Sequence, residues 1–453
     1  MESKVFKMKI LRVLFSCLLT GIIFIFGIKP ALAFCGFYVA KADTSLYNQA
    51  SQVVIARDGN KTVLTMANDY QGEVKDFALV VPVPVVLKEE QVHVGNPKIL
   101  QRLDDFSAPR LVEYFDPDPC QVIAYEQDRA FNSAPQAAPS ATQSKVRADL
   151  GVTIEEQFSV GEYDILILSA KESDGLETWL IQNDYKIPRG AKELLQPYIR
   201  QGLKFFVAKV NLAEYGKNGF EKLRPIAIAF DSPKFMLPIR LGMMNAKGDQ
   251  DLIVYLLSPQ GQVELTNYRT VKVPSDSEVP EFVQTGFKDF YTAMFQKSYE
   301  QENKQVAFLE YAWDMANCDP CSAEPLNTEE LKEAGVFWLN SGSPSSDPRF
   351  FGGNNVFITR LHVRYTRDKF PEDLRFQATS DRNLFQGRYV VRHPFEGDIT
   401  CDAGKDYEQS VRDRQEQEAK TLASLTGWQI NEIRDRIKFV EAEPIPWWRN
   451  IWN

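Results

Sequence analysis

Histidine is scarce in this sequence of 453 residues, which contains His93, His362 and His393 alone. Cysteine is scarce as well, and the six cysteines include one C-x-x-C pair, Cys318 and Cys321. A structural zinc site needs four ligands, commonly two such pairs or one pair with two histidines. Because the three histidines are scattered along the chain, we expect no metal site and no cofactor.

The motifs of the common enzyme classes are also missing. The chain has no G-x-S-x-G elbow, no H-E-x-x-H, no EF-hand loop, no P-loop, and no G-x-G-x-x-G after a predicted strand. Paired carboxylates would offer hydrolase chemistry without a motif, and aspartates lie near aromatic residues in the segment 115–119, FDPDP. Aspartates beside proline, however, are typical of turns. The sequence therefore favours a protein that is not an enzyme and assigns no catalytic residue.

Positive charge is in deficit. Lysine and arginine number 52 against 61 aspartates and glutamates, which gives a formal net charge of −9. A protein whose main role is to bind nucleic acid carries a basic surface, so we expect no nucleic-acid partner. Long hydrophobic runs are few too, and the one that approaches the length of a membrane span lies at the N-terminus.

That N-terminal run predicts export. A basic start is followed by the apolar stretch Val13–Ile28 and by the triplet Ala31-Leu32-Ala33, the pattern of a cleavable signal peptide. We expect residues 1–33 to be removed and the protein to act in the periplasm or outside the cell. The loss of five basic residues and one acidic residue leaves 47 and 60, a net charge of −13. The alternative is an uncleaved segment that anchors the protein in a membrane.

Five cysteines remain after cleavage, and an oxidising compartment makes each a disulfide candidate. They are Cys35, Cys120, Cys318, Cys321 and Cys401. The default for five cysteines is two bridges and one free thiol. The spacing allows a local Cys318–Cys321 bridge and a long-range Cys35–Cys120 bridge, with Cys401 left over. Alternatively, Cys401 bonds to one member of the local pair.

The segment 318–321, CDPC, is the one motif with chemistry attached, since a C-x-x-C pair at a helix N-terminus exchanges disulfides. A thiol–disulfide redox protein acting through this pair is the alternative function. The next helix signal, however, is a capping box that begins at Asn327, with Pro325 before it. The position of the pair therefore favours a structural bridge or loop clamp.

The pattern of the chain divides it into four regions after the signal peptide. Residues 34–125 form a β-rich N-terminal segment, and residues 126–150 are a Ser/Ala/Pro/Gln tract that predicts a flexible linker or loop. Residues 151–400 form a β-rich main body with inserted helices and the CDPC loop. Residues 401–453 form a helical C-terminal region with a Trp-rich tail. The sequence predicts an α+β fold, mostly antiparallel β and sandwich- or barrel-like, with inserted helices and a C-terminal helix.

The strand-like run TRLHVRY contains a candidate functional cluster. Arg360, His362 and Arg364 alternate with apolar residues, which places the three on one face of a strand. Such a cluster could bind a ligand. A histidine hydrogen-bonded within a strand is nevertheless a commoner situation than a metal ligand.

The C-terminal tail is rich in tryptophan. Trp447, Trp448 and Trp452 lie within the segment PWWRNIW. Tryptophan is favoured where an apolar surface meets water, including a lipid interface. The tail therefore predicts peripheral membrane contact, docking onto the body of the protein, or contact with a partner.

Several segments together resemble a family of exported bacterial proteins, the domain of unknown function DUF2330. They are CGFY at 35–38, DYQGEVKDFALVVPVP at 69–84, FSAPRLVEYFDPDPC at 106–120, VGEYDILILSA at 160–170, TRLHVRYTRDKFPEDLRFQATS at 359–380 and FQGRYVVRHPF at 385–395. The resemblance implies one continuous unit and no assigned activity, and hence no residue roles to transfer. We expect an exported, acidic, non-catalytic protein that binds an unknown partner in the envelope or outside the cell.

Overall fold

The computed structural model describes residues 37–40, 47–71, 77–120, 152–183, 191–217, 223–244, 248–317, 319, 323–339 and 355–441. Several predictions lie outside these residues and remain predictions: the signal peptide, the tract 126–150, Cys35, Cys318, Cys321 and the three tryptophans of the tail. Within the described ranges, no helix is both long enough and apolar enough to cross a membrane.

The strands are numbered in chain order. They are β1 (Phe37–Ala40), β2 (Tyr47–Asp58), β3 (Lys61–Gln71), β4 (Phe77–Val83), β5 (Val92–Val94), β6 (Arg110–Phe115), β7 (Val152–Val160), β8 (Tyr163–Ala170), β9 (Lys204–Val210) and β10 (Ile226–Asp231). The others are β11 (Met236–Leu237), β12 (Gln250–Ser258), β13 (Val263–Leu265), β14 (Arg269–Lys272), β15 (Ser277–Glu278), β16 (Val306–Asp314), β17 (Phe357–Tyr365), β18 (Leu374–Ala378), β19 (Phe385–Gln386) and β20 (Arg388–His393).

The helices are numbered in the same way. They are α1 (Pro97–Ser107), α2 (Ser173–Gln182), α3 (Ala191–Arg200), α4 (Leu212–Lys217), α5 (Phe287–Gln301), α6 (Thr328–Glu333), α7 (Asp402–Thr426) and α8 (Ile430–Arg434). Helices α2 and α3 lie between strands β8 and β9, as the sequence predicts for inserted helices.

The segment 52–66, QVVIARDGNKTVLTM, has two β-branched runs around Asp58-Gly59-Asn60 and predicts a hairpin, which strands β2 and β3 form. Both are rich in β-branched residues, which suit a pleated and half-buried surface. The turn needs a positive φ, and Gly59 supplies one of +56° without the strain that a Cβ would cause. Asp58 then faces Lys61 across the turn and sets the antiparallel register of the pair.

Two large open sheets carry most of the strands. One has five strands in the order β1-β4-β9-β8-β7, and the other has nine, β14-β16-β17-β12-β2-β3-β10-β5 with β19 beside β16. Most pairs are antiparallel, but β12 runs parallel to β2 and β14 runs parallel to β16. Strands from before and after the tract 126–150 share both sheets.

The two sheets pack face to face around the main hydrophobic core. Leu79 and Ile165 of the five-stranded sheet meet Val53 and Leu361 of the nine-stranded sheet in this core. Helices α2 and α3 cover the outer face of the smaller sheet. Helices α1, α5 and α6 cover the outer face of the larger sheet. The result is four layers: helices, sheet, sheet, helices.

Two smaller sheets complete the described structure. Strands β11-β18-β13 extend the main core. Strands β15-β20-β6 form a parallel sheet that packs against α5, α7 and α8 through Tyr389 and Val391. Helix α7 ends at Gly427, whose φ of +78° is that of a left-handed C-cap. The sequence predicts one long helix over 405–440 with a phase slip at this glycine, whereas in the structure α7 ends there and α8 begins at Ile430.

The structure confirms the predicted α+β class with its C-terminal helix. Of the two arrangements that we predicted, the open sheets packed face to face correspond to the sandwich-like one. The outer face of the nine-stranded sheet is where the candidate cluster of β17 lies.

Candidate functional site

Strand β17 places the three candidate residues on the outer face of the nine-stranded sheet. Its alternating sequence directs Leu361 and Val363 into the main core, where both are fully buried. Arg360, His362 and Arg364 therefore lie on the opposite face, beneath helices α1 and α5. The structure thus brings together the cluster that the sequence singles out.

Carboxylates from three other elements meet these cations. We call the whole set the buried charge network, and its members are Arg360, His362 and Arg364 of β17, Glu310 of β16, Asp251 of β12 and Asp104 of α1. Strands β16 and β12 flank β17 on its two sides. Glu310 and Asp251 therefore approach β17 from the two neighbouring strands, and Asp104 approaches it from helix α1, which covers the sheet.

Arg360 binds two of these acids. Its Nε donates to Glu310 Oε2 and its Nη1 to Asp104 Oδ1, both at 2.6 Å. The Tyr255 hydroxyl donates to the same Asp104 oxygen at 2.9 Å. Burial alone would lower the pKa of Arg360, but the negative charges of Glu310 and Asp104 help to outweigh burial, and the pKa is raised. The guanidinium is therefore held in its charged form in a site where it is 7% exposed.

His362 lies between two carboxylates. Its Nδ1 is 2.8 Å from Glu310 Oε1, and its Nε2 is 3.0 Å from Asp251 Oδ1. Because both acceptors are carboxylates, both ring nitrogens act as donors, as only the protonated ring can. Burial alone would lower the pKa of His362, but the two acids raise it to about 8. The ring is therefore a buried cation at neutral pH.

Arg364 completes the row. Its Nε and Nη2 donate to the two oxygens of Asp251, each at 2.7 Å, the bidentate geometry that suits a guanidinium and a carboxylate. Its Nη1 donates to Gln296 Oε1 of α5 at 2.7 Å. The same arginine lies over the Phe295 ring, 4.9 Å from its centre. Helix α5 therefore closes the network from outside.

Glu310 reaches the network because of a β-bulge. The register of β16 against β17 shifts between Leu309 and Tyr311, and such an extra residue redirects side chains locally. Leu309 faces the main core, whereas both Glu310 and Tyr311 lie on the outer face. Burial alone would raise the pKa of Glu310, but His362 and Arg360 lower it to about 2. Tyr291 of α5 donates a further hydrogen bond to it.

The network is closed, and it is buried except at Asp104, whose side chain is 34% exposed. Its three cations face three carboxylates, and the side chains of Glu310 and His362 are 1% and 12% exposed. A general base needs a free proton acceptor and a metal ligand needs a free lone pair, and His362 has neither while both nitrogens donate. Among the described residues, no group of three or more His, Cys, Asp or Glu is arranged to hold a metal ion. The arrangement suits the attachment of helices to the sheet.

A disulfide joins Cys120 to Cys401, with their Cα atoms 5.8 Å apart. This bridge excludes both of the pairings that the spacing allows, Cys120 with Cys35 and Cys401 with a cysteine of the CDPC segment. The reason is that β6 and β20 run parallel, so the C-terminal ends of both strands lie at the same end of their sheet. The loops that follow them carry Cys120 and Cys401 to one place, at the start of helix α7.

Aromatic side chains lie at that same end of β6. Phe115 is 73% exposed and Tyr114 is 44% exposed. The Phe115 ring stacks on the imidazole of His393, with centroids 4.5 Å apart. Glu113 binds His393 Nε2 at 2.9 Å and accepts a hydrogen bond from Gln284 at 2.8 Å. The aromatic side chains at the end of the strand are thus exposed, while the hydrogen bonds of Glu113 to His393 and Gln284 hold the strand in place.

A second set of buried charges lies between this strand and helix α7. Asp116 accepts hydrogen bonds from the Tyr407 hydroxyl and from Arg414 Nη2, both at 2.8 Å. Glu418 lies 3.6 Å from Arg414 Nε. Burial, which Arg414 only partly offsets, raises the pKa of Glu418 to about 7. Glu418 is therefore a carboxyl that holds its proton close to neutral pH.

The segment 318–321 is described at one residue, Asp319. This side chain is buried and accepts hydrogen bonds from the Tyr311 hydroxyl at 3.0 Å and from Gln386 Nε2 at 2.6 Å. The loop is therefore held against the sheet at its second position. The redox hypothesis itself concerns Cys318 and Cys321, which lie outside the described residues, and it remains a prediction.

Sequence reasoning missed the acids of the network and the exposed end of β6. Glu310 lies in an otherwise apolar strand, AFLEYAW, and a lone charge in such a run is a signal of a buried ion pair. Asp251 is the second residue of β12 and comes directly before an apolar run, LIVYLL. Tyr114 and Phe115 end the segment 97–115, whose apolar residues indicate helical spacing interrupted at Pro109, and no pattern distinguishes an exposed aromatic residue from a buried one.

Comparison with known proteins identifies one family. Residues 29–377 match the family described as "Uncharacterized protein conserved in bacteria (DUF2330)", in agreement with the resemblance seen in the motifs. No curated protein and no solved structure matches the chain.

Proposed function

We infer a function for this chain, which belongs to the conserved bacterial family DUF2330. We propose that it is an exported, non-catalytic protein whose role is to bind a partner in the envelope or outside the cell. The buried charge network is then a part of the scaffold, and binding is the task of the surface.

One observation carries the proposal: both ring nitrogens of His362 bond to carboxylates. Histidine is the side chain most often used for proton transfer near neutral pH. Here it is enclosed between Glu310 and Asp251, with Phe295 stacked on it. Arg360, His362 and Arg364, which the sequence marks as the candidate functional cluster, thus make structural ion pairs and hydrogen bonds within the protein.

Two further features support export and binding. The Cys120–Cys401 bridge is of a kind that persists in oxidising compartments and is rare in the cytosol. Phe115 is the most exposed of the large hydrophobic side chains among the described residues. An exposed aromatic on a rigid support is a common anchor in protein interfaces.

Fractionation and site-specific cross-linking in the bacterium that encodes the chain test the proposal. A photo-reactive phenylalanine analogue is placed at position 115 and, as a matched control, at position 384, because Leu384 is also exposed, at 46%. We expect the protein outside the cytoplasm and one discrete adduct from position 115 that position 384 does not give. Retention in the cytoplasm, or no adduct from any exposed hydrophobic position, would overturn the proposal.

A reaction would overturn it in another way. The variant His362→Gln removes the imidazolium but leaves a polar side chain in the network. If the full chain carried out a reaction that this variant lost while it remained folded by circular dichroism, the network would be catalytic. We expect no such reaction.

A further inference from the structure

Among the strands that the structure describes, none pairs with the outer edge of β6, which we call its free edge. Strand β6 is the last strand of the order β15-β20-β6, and β20 is the strand with which it pairs in the described part of the chain. An edge strand presents unpaired N–H and C=O groups that another chain can use. Proteins commonly protect such edges with charges, prolines or covering loops.

The hydrogen bonds of the parallel pair show which groups point outward. Arg110 N donates to Gly387 O and Asp116 N donates to His393 O. Because alternate residues of a parallel strand bond to the same neighbour, positions 112 and 114 also face β20. The amides and carbonyls of Leu111, Glu113 and Phe115 are therefore directed away from β20, toward the open edge.

The edge is held in a shape that is ready to accept a strand. The register with β20 is unbroken from Arg110 to Phe115. Beyond it, the Cys120–Cys401 bridge and the hydrogen bonds of Asp116 fix the following loop to helix α7. A strand that is ordered before binding loses little conformational entropy when a partner adds to it.

The charge around the edge favours a basic occupant. Glu113 is on the strand itself, and Glu281 lies beside it, 3.5 Å from His393. Of the arginines near the strand, Arg110 at its start donates from Nη2 to Phe106 O of helix α1 at 2.7 Å, and Arg392 is paired with Glu278 at 3.0 Å. The whole chain carries a net charge of −9, so cationic partners are also attracted from a distance.

The same charge disfavours a second copy of this chain. A symmetric antiparallel pair of β6 strands centred on the outward-facing groups would place Glu113 opposite Glu113. Like charges directly opposite each other destabilise a strand pair. The occupant is therefore a different polypeptide.

We propose that the free edge of β6 binds an extended, basic segment of a partner protein, which adds to the sheet as a fourth strand. The outward backbone groups of Leu111, Glu113 and Phe115 supply the hydrogen bonds, and the Tyr114 and Phe115 rings contact apolar side chains of the segment. This inference rests on the proposed binding function and names the partner's chemistry and its place.

Binding of a fluorescent peptide to the full chain tests the proposal. The probe is the alternating peptide Lys-Val-Lys-Val-Lys-Val-Lys, compared with its Glu-Val counterpart and with a version methylated at every backbone nitrogen. Strand addition needs the backbone of the peptide as well as its charge. We expect fluorescence anisotropy to show binding of the first peptide, with affinity at least about ten-fold weaker for each of the other two.

Two variants of the chain locate the site. Glu113→Pro removes an N–H that faces the open edge and spares the bonds to β20. We therefore expect a folded protein that no longer binds the Lys-Val peptide. Glu113→Gln keeps the N–H and removes the charge, so we expect weaker binding, and the loss should depend on salt. If Glu113→Pro does not fold, Phe115→Ser replaces it, because that side chain is exposed.

The outcomes separate this inference from the proposed function. Equal binding of the methylated peptide, or full binding by folded Glu113→Pro, would overturn the strand-addition inference. A specific adduct from position 115 in cells would leave the proposed function standing in that case. Absence of any adduct, with peptide binding intact, would instead count against the proposed function alone.

Discussion

The imidazole of His362 lies face to face with the phenyl ring of Phe295, with centroids 3.9 Å apart and planes 18° from parallel. His362 belongs to the sheet and Phe295 to helix α5. The guanidinium of Arg364 also lies over the Phe295 ring. One aromatic side chain thus contacts two cations and packs a helix against the charged face of the sheet.

The first prediction concerns pH. The pKa of His362 is about 8, above its ordinary value of 6.5, so the folded state holds the proton more tightly than the unfolded state does. The stabilisation is complete below about pH 6.5 and is lost as the pH rises through about 8, and it amounts to about 2 kcal/mol. Urea unfolding of the protein and of His362→Gln between pH 6 and 9 measures it. Parallel stability curves for the two proteins would contradict the prediction.

The second prediction concerns Glu418, whose pKa is about 7 in the folded protein, against an ordinary 4.5. Burial disfavours its charge, so the folded state loses stability as the pH rises from about 4.5 to about 7. We expect Glu418→Gln to be more stable than the wild type at pH 8, by up to about 3 kcal/mol, and to show no gain at pH 4. Glu416→Gln is the control, because Glu416 is on the same helix and pairs with Arg434 near the surface. A gain of equal size at both pH values would show that the charge is not the cause.

The third prediction separates buried from exposed ion pairs. Arg360→Met leaves Asp104 without its ion-pair partner and removes one of the two cations that contact the buried Glu310, and breaking a buried pair in this way costs roughly 3–5 kcal/mol. Arg375→Met removes an arginine from an exposed pair with Glu372, a change of no more than about 1 kcal/mol. Chemical denaturation of both variants at pH 7 provides the comparison. Similar losses in the two would mean that the network is not the structural element described.

The fourth prediction concerns the disulfide. The bridge joins positions that are 281 residues apart in sequence, and loss of a native bridge costs about 2–5 kcal/mol in small exported domains. We expect Cys120→Ser and Cys401→Ser each to lower the melting temperature, and the double variant to fall no further than either single one. Additive losses would show that the two cysteines act separately.

Much of the fold follows from local sequence. The alternation in TRLHVRY determines that Arg360, His362 and Arg364 share a face, and the Asp-Gly-Asn turn determines the β2–β3 hairpin. The sequence does not predict helix α5, although Phe290, Met294 and Ser298 recur at four-residue spacing and are buried in the structure. Its many aromatic residues suit strands as well as helices, which hid the pattern.

The acids of the site could not be predicted in the same way. Asp104 is separated from Arg360 by 256 positions, and Asp251 from Arg364 by 113. Their meeting depends on the strand order β16-β17-β12, which places residues from distant segments side by side. Glu310 needs in addition a bulge, and a bulge has no signature in one sequence. The pairing of Cys120 with Cys401 depends on β6 and β20 being parallel neighbours.

Residue-resolved hydrogen exchange of the free full-length chain tests the central claim most directly. In an open edge strand, amides that bond to β20 exchange slowly and amides that point outward exchange fast. We predict slow exchange at Val112 and Tyr114 and fast exchange at Leu111, Glu113 and Phe115, with the last three becoming slow when the Lys-Val peptide binds. Equal protection of all five amides in the free chain would contradict the account, because the edge of β6 would already be occupied.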